Sequence, residues 1–570
     1  MPERLRARCD KMPVEANGDF NEESSSMVWP NLGLAHRPVA MGIRGAVASA
    51  HPLASLAGME ILKSGGNAVD AAIATAAALN VAEPYMSGIG GSGYMLVYTA
   101  KDCRLQVLDY IGPASRNADL SSFERESEKN HGPKSPLIPS AVAGWLTAHA
   151  EYGSLPLEKL FAPAIGYATA GAPLTVRNAW FYDFMWRGGN LTEMTKAVFI
   201  PDGQPPQAGE VIRQPKLAAT YARLAKEGKE SFYRGAMAKE IVESIRTQGG
   251  ILDEDDLAGY EPVWKEPIGI DYRGYSINCP PPNCSGWQYL QAFKMLESDD
   301  LAAMGQNSTE TLHTLAEVFK LAVADRIAYT TSPCIDLDSL LSDVYTANRR
   351  ELVDAGHAAR VEGERYRGAR PEGAIEPGDP RLALKECTTH FDVIDAEGNA
   401  VSVTQSLGDG FGSGVMAGEL GFMLNNFGYW FDFDPASPNV IGPGAQIEMC
   451  MAPAAIFRDG KLFTIIGTPG SFGILQTTPQ MISNLLDHGY SIQAAIEAPR
   501  IKATEGATLQ IETRVPPEIR DELAALGHVL EPVGDWSNLM GGGQGIMIDP
   551  DSGVYCGGAD PRRDGYALAW

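Results

Sequence analysis

The feature that most limits how this chain can fold lies two thirds of the way along it. There Cys387-Thr388-Thr389-His390-Phe391-Asp392-Val393-Ile394-Asp395 and Ala400-Val401-Ser402-Val403-Thr404-Gln405-Ser406 flank the short segment Ala396-Glu397-Gly398-Asn399. β-branched and aromatic residues on either side of a Glu-Gly-Asn turn predict two paired strands. The run before them, Arg367 to Lys385, is broken by Gly368, Pro371, Gly373, Pro377, Gly378 and Pro380 and shows no hydrophobic period, so it reads as a flexible linker. A loose segment thus delivers a threonine to the first position of a buried strand. If the Cys387-Thr388 bond is cut, Thr388 gains a free α-amino group beside its own hydroxyl, and nucleophile and base belong to one residue.

Composition sets the outer limits. At 570 residues the length allows roughly two to four domains, yet only the segment before Thr388 resembles a linker. A hydrophobic content of 44% is enough for a large core. The net charge of −25, with no basic run, argues against binding a phosphate backbone, so no nucleic-acid partner is expected. Met1 to Pro30 are polar and acidic and lack an apolar signal core, so residues 1–35 are expected to form a disordered tail. The longest apolar stretch, Ala68 to Ala82, contains Asp70 and Asn80 and suits a buried helix better than a membrane span. A cytoplasmic location without membrane attachment is the expectation, with export left open should the true start lie elsewhere.

The eight cysteines are scattered, and the nine histidines include no H-E-x-x-H. No three or four ligands converge in sequence, so neither a metal nor another cofactor is expected. Helices are predicted over Leu53–Lys63, Ala68–Leu79, Thr311–Ala328, Thr478–Asp487 and Ile492–Glu497, and strands over Tyr94–Thr99, Leu462–Ile466 and Gly545–Ile548. Pattern alone gives a mixed α/β chain. Gly88-Ile89-Gly90-Gly91-Ser92-Gly93 matches G-x-G-x-x-G formally. A dinucleotide site needs a strand before it and a helix after it, and here the order is reversed. The preferred reading is a structural loop that lets the backbone pass close to the active site. No G-x-S-x-G is present to suggest a serine hydrolase.

Taken in order along the chain, several segments resemble the γ-glutamyltransferase family of N-terminal-nucleophile hydrolases. They are Gly65-Gly66-Asn67-Ala68-Val69-Asp70-Ala71-Ala72, Glu83-Pro84, Ser87 to Gly93, Pro139 to Gly144, Leu155-Pro156-Leu157 through Pro163-Ala164-Ile165, Pro280-Pro281-Pro282, the Thr388 region, Gly467-Thr468-Pro469-Gly470, Ala498-Pro499-Arg500 and Asp560-Pro561-Arg562-Arg563. The resemblance implies a four-layer αββα sandwich with Thr388 opening a central strand. It also implies self-cleavage between Cys387 and Thr388 into a large subunit (36–387) and a small subunit (388–570) that stay together as a heterodimer. Ser406 falls where the family has a threonine whose hydroxyl contacts the nucleophile. Gly470 and Ser471 match two adjacent glycines whose N–H groups form the oxyanion hole, with serine replacing the second. Thr389 and His390 are assigned supporting roles.

Substrate recognition is where the chain departs from the family. A γ-glutamyl enzyme must hold a free α-carboxylate, for which a bidentate arginine is the natural clamp. In relatives that arginine follows an Asp-aromatic pair, whereas here Asp109-Tyr110 leads into Ile111. The family's paired serines align with Met449 and Cys450, its amide after the nucleophile strand with Gly408, and its polar positions after Asn425-Asn426 with Phe427 and Trp430. A coordinated loss of polar groups predicts a small-molecule amide with a different acyl group, held by Ile111, Phe427, Trp430, Met449 and Cys450. The expected activity is that of an autoprocessing amidohydrolase or acylase working through an acyl-Thr388 ester. A glutathione hydrolase and a non-catalytic binding protein on the same fold remain open as alternatives.

Overall fold

The computed structural model of the chain describes residues 35–189, 191–330, 335–359, 387–504 and 507–570. Nearly all of the expected tail and all of the segment before Cys387 lie outside the described residues. The two predicted strands form a hairpin of Cys387–Ile394 and Ala400–Gly408, with Phe391 opposite Val403 and Val393 opposite Val401. Asp395 fixes the turn, its Oδ1 accepting the N–H groups of Glu397 and Asn399 at 3.0 Å. Gly398 supplies the positive φ of 82° that the reversal requires.

Both strands are buried along their whole length because the hairpin lies inside a seven-stranded sheet. Its order is Tyr566–Ala569, Ala46–Ser49, Cys387–Ile394, Ala400–Gly408, Ser92–Thr99, Arg104–Tyr110 and Val263–Lys265, all antiparallel. Period-two alternation sends successive side chains to opposite faces. Phe391, Val393, Val401 and Val403 join a core shared with the helices Pro52–Lys63 and Ala68–Ala82, while Ile394, Ala400, Ala46 and Leu96 enter a second core with Ile465, Ile546 and Met547. Those last three belong to a second antiparallel sheet of seven strands, whose centre is Gln544–Ile548, Lys461–Gly467 and Ala454–Arg458. The helices Trp287–Leu296, Ile474–Leu486 and Ile492–Glu497 cover its outer side. The layers are therefore helix, sheet, sheet, helix, the sandwich that the resemblance implies.

Composition explains the tightest of these contacts. All fifteen residues of Ala68–Ala82 are buried, and its alanines let the helix lie close to the sheet. Asn67 and Asp70 start it with a reciprocal capping box. Asp70, the one charge in this apolar run, also accepts from the backbone N–H and hydroxyl of Ser154. The helix predicted from Thr478 begins at Ile474 instead, with Pro479 inside it. Proline there forgoes one backbone hydrogen bond. Burial of nearly the whole helix outweighs the local preference that placed its start at the proline. No helix of the described residues is long and apolar enough to cross a membrane.

Candidate active site

The register of the hairpin breaks at the proposed cleavage point. Cys387 pairs with Gly408 and Thr389 with Gln405, so Ser406 and Leu407 together oppose the single residue Thr388. Such a bulge re-aims side chains and ends regular pairing. Leu407 leaves the ladder to donate its N–H to Met86 O at 3.1 Å, and Ser406 turns toward Thr388. The Thr388 hydroxyl donates to Ser406 Oγ at 3.4 Å, and Ser406 Oγ donates in turn to the carbonyl of Cys387. The N–H of Gly408 donates to the same Ser406 oxygen at 2.8 Å. One hydroxyl thus receives the nucleophile's proton and polarises the carbonyl on the far side of the bond to be cut. Thr388 is 3% exposed.

The backbone of Thr388 is held from the C-terminal end of the chain. Arg563 Nη1 donates to Thr388 O at 2.9 Å, and its guanidinium carbon lies 5.6 Å from the centroid of Phe181. Sequence reasoning used Asp560-Pro561-Arg562-Arg563 as a landmark without giving Arg563 a place in the site. The other basic residues there are structural: Arg562 pairs with Asp560 and Glu512, and Arg500 with Asp560, all fully buried. His390 is locked, one ring nitrogen 2.8 Å from Thr404 Oγ1 and the other 3.0 Å from Asp392 Oδ2. It sits against Gly467, where a Cβ would come within 2.4 Å of the imidazole. The nucleophile strand and the opposite sheet therefore meet two residues beyond Thr388.

The glycine loop before Ser92 has the role expected of it. A Cβ on Gly91 would lie 2.3 Å from the carbonyl oxygen of Ser406, and one on Gly90 would lie 2.0 Å from that of Met423. Backbone passes where no side chain fits, and Ser406 is pressed toward Thr388. An Ala-rich helix precedes the loop and the strand Ser92–Thr99 follows, so the loop has the opposite order to a dinucleotide site.

From Gly467 the second sheet continues through Thr468-Pro469 to Gly470 and Ser471, then into Ile474–Leu486. Gly470 has φ 137° and Ser471 φ 49°. Neither backbone N–H has a partner among the described residues, which leaves both as donors. Thr468 Oγ1 anchors the loop by accepting the N–H of Gly542 at 2.9 Å. Arg326, which the sequence did not single out, spans two walls. Its Nη1 lies 2.7 Å from Glu448 beside Met449, and its guanidinium lies 4.1 Å over the ring of Phe472 beside Ser471.

The five expected substrate-recognition residues all belong to the large core between the two sheets, the same core that holds Ile465, Ile546 and Met547. Ile111, Phe427, Met449 and Cys450 are buried there and Trp430 packs against it half-buried, with the Phe427 and Trp430 rings 5.3 Å apart. A Cβ at Gly408 would meet Asn426 Oδ1 at 2.2 Å, so with Asn426 so placed no amide side chain fits at 408, while Trp430 Cζ3 at 3.4 Å is in ordinary contact with that position. A cavity of about 550 Å³ opens beside Ile111, lined also by Asp109, Arg116, Asp256, Tyr260 and Lys265. Its cations are paired, Lys265 with Asp109 at 2.7 Å and Arg116 with Asp256 at 3.4 Å, and Thr388 is not on its wall.

Among the described residues one group, His313, Glu317 and His528, brings possible metal donors within 4.8 Å of one another. Most of its donor atoms already have partners within the protein, although His528 Nδ1 is buried without one among the described residues. The two imidazoles share a 2.8 Å hydrogen bond, His313 Nε2 is 2.8 Å from Asp354 O, and Lys320 supplies a positive charge 2.6 Å from Glu317. Burial, with Lys320 and His313 nearby, pushes His528 down to about 3.

Comparison with known proteins gives the family of the whole chain. The family model described as Gamma-glutamyltranspeptidase matches residues 54–570. The chain is 36% identical over 553 residues to the Acylase ACY 1 proenzyme of Pseudomonas sp. (strain V22), covering 93% of this chain and 94% of that one. It is 33% identical over 550 residues to the Glutathione hydrolase proenzyme of Bacillus subtilis (strain 168), covering 94% and 92%. The structure of cephalosporin acylase from Bacillus halodurans superposes with a TM-score of 0.85 at 34% identity, covering 94% of this chain and 97% of that one. The chain is thus a member of the gamma-glutamyltranspeptidase family, the autoprocessing N-terminal-nucleophile amidohydrolases and transpeptidases.

Proposed function

We propose that the protein cuts itself between Cys387 and Thr388 and then hydrolyses an amide whose acyl group is not γ-glutamyl. The observation that carries this reading is the Ser406 hydroxyl, which bridges Thr388 Oγ1 and the Cys387 carbonyl. In self-cleavage Thr388 Oγ1 attacks the Cys387 carbonyl while its proton passes through the Ser406 hydroxyl to the Thr388 nitrogen. The Cys387–Thr388 C–N bond then breaks to leave an ester and the α-amine of Thr388, and water hydrolyses the ester. Residues 1–387 and 388–570 remain joined through the shared αββα core, with further dimerisation left open.

In turnover the α-amine takes the proton of Thr388 Oγ1 as the hydroxyl attacks a substrate amide. The N–H groups of Gly470 and Ser471 meet the tetrahedral oxyanion. Each such donor is worth about 3 kcal/mol of barrier. The amine product leaves with a proton and water releases the acid. Ile111, Phe427, Trp430, Met449 and Cys450 form the acyl pocket. A glutamyl α-carboxylate placed there would lack a partner, at a cost of several kcal/mol.

Purified protein run on a denaturing gel should give two chains, the smaller beginning at Thr388, and Thr388→Ala should remain whole. A panel of p-nitroanilides then reads the acyl group. Turnover of an aromatic or aliphatic acyl anilide, with weak γ-glutamyl anilide cleavage, is expected. Robust γ-glutamyl transfer at micromolar substrate would refute the pocket and point to the glutathione hydrolases among the relatives.

A further inference from the structure

Arg326 stands where the Gly470-Ser471 loop and the Met449-Cys450 wall approach each other, and the proposed turnover gives it no task. It lies near the end of the helix Thr309–Tyr329 and is buried. Its guanidinium has partners on three different elements. Nε donates to Gln288 Oε1 at 2.9 Å, which fixes the plane of the group from the helix Trp287–Leu296. Nη1 donates to Glu448 Oε1 at 2.7 Å, and the hydroxyl of Ser285 donates to the same oxygen. The guanidinium carbon lies 4.1 Å from the centroid of the Phe472 ring. These partners lead to both sides of the site. Glu448 precedes Met449, and that wall is stitched to the neighbouring segment by Met449 N–H on Asn283 O at 2.9 Å and Ser285 N–H on Met449 O at 2.8 Å. Phe472 follows Ser471 and is only half-buried. Ser471 has the left-handed φ of 49°, a conformation that a serine keeps only where its surroundings impose it. A planar guanidinium can bond at its edges and stack on its face at once, and an ammonium cannot.

We propose that Arg326 is a positioning residue for acyl transfer: by tying Phe472 to Glu448 it holds the loop that carries the Ser471 N–H at a fixed place beside the acyl pocket, so that the donor meets the oxyanion formed at Thr388. The inference rests on Gly470 and Ser471 being the oxyanion donors of the proposed turnover. Self-cleavage makes no such demand of the loop, because there the carbonyl of Cys387 is polarised by the Ser406 hydroxyl. Breaking the tie therefore separates the two reactions. The hairpin still delivers Ser406 to the bond that is cut, while the loop is free to shift, and a displacement of about 1 Å in such a group costs about a hundredfold in rate.

The test needs no knowledge of the natural substrate. Arg326→Lys keeps the charge beside Glu448 and loses the plane, whereas Phe472→Leu keeps an apolar side chain and loses the ring. Maturation is timed by the appearance of the chain beginning at Thr388. Mature enzyme is then mixed with p-nitrophenyl acetate, and acetylation of Thr388 is followed by the mass of the small chain. In that step Thr388 Oγ1 attacks the ester carbonyl, its proton goes to the α-amine, and p-nitrophenolate leaves. Both variants should mature at close to the wild-type rate and acetylate about tenfold to hundredfold more slowly. The double variant should be no slower than the slower single one, because either change breaks the same tie. Acetylation of Phe472→Leu at the wild-type rate overturns the proposal, and this half-buried position decides the matter alone should Arg326→Lys fail to fold. Maturation slowed by the same factor as acetylation also overturns it, since the tie is then merely structural, and so does a double variant whose loss is the product of the two single losses. Wild-type enzyme that matures but is never labelled at Thr388 instead removes the nucleophile of the proposed turnover, and the inference falls with it.

Discussion

Replacing Ser406 by alanine removes a hydroxyl with three hydrogen bonds, and the structure gives a magnitude for each consequence. The N–H of Gly408, which donates at 2.8 Å, loses its partner in a buried place, and the carbonyl of Cys387 loses the Ser406 hydroxyl. The orphaned N–H costs about 1 to 3 kcal/mol. The same loss strips polarisation from the carbonyl under attack and removes the acceptor of the Thr388 proton. By analogy with single polar stabilisers of tetrahedral intermediates, self-cleavage should slow by about 10² to 10³. The assay separates the two effects. Maturation is timed by the appearance of the chain beginning at Thr388, while stability is measured by urea unfolding in a Thr388→Ala background, where no cleavage occurs. Ser406→Thr keeps the hydroxyl and should mature and turn over at close to the wild-type rate. An alanine variant that matures as fast as wild type would refute the relay and make Ser406 a strand-end serine.

Three other outcomes follow from the same geometry. Gly91→Ala places a methyl 2.3 Å from the Ser406 carbonyl, so it should destabilise by about 1 to 3 kcal/mol and impair maturation. Gly442→Ala meets nothing within 4 Å and should do neither. Ser471→Gly relieves a left-handed serine at φ 49°, worth about 1 kcal/mol less the extra freedom of unfolded glycine. Turnover should persist because the donor is backbone, and a tenfold loss of kcat would assign the work to the side chain. Burial lowers His51 to about 4, so its neutral form is favoured in the fold. The stability this gives is present above the ordinary histidine value near 6.5 and is lost as pH falls toward 4. Glu83, pushed up by burial, acts in the opposite sense, so the comparison is made with His51→Asn, which keeps an acceptor for Leu53 N–H. The wild-type advantage in urea should shrink by about 3 kcal/mol between pH 7 and 4, and a constant difference would show that His51 takes up no proton on unfolding.

Local chemistry alone determined much of this protein. The hairpin around Glu397-Gly398-Asn399, the helix Ile492–Glu497 and the buried alanine helix were legible because turn residues, hydrophobic period and caps act within a few residues of one another. Thr388 was singled out by the same kind of signal, as a threonine opening a strand after a Pro- and Gly-broken run, although the strand itself begins one residue earlier, at Cys387. Family motifs marked Ser406, Gly470 and Ser471 without giving their geometry. Tertiary structure decided the rest. Two residues facing one across a strand pair turn Ser406 toward Thr388, and register between strands is a long-range property. Arg563 reaches Thr388 from 175 residues away along the chain. Burial by surrounding elements pushes the Glu83 carboxyl up from the ordinary carboxylate range. The start of Ile474–Leu486 was misplaced because burial in the second core overrode the local signal of Pro479. That Gly408 faces Asn426, 18 residues further on, so closely that no Cβ fits between them is likewise a matter of packing that the sequence does not carry.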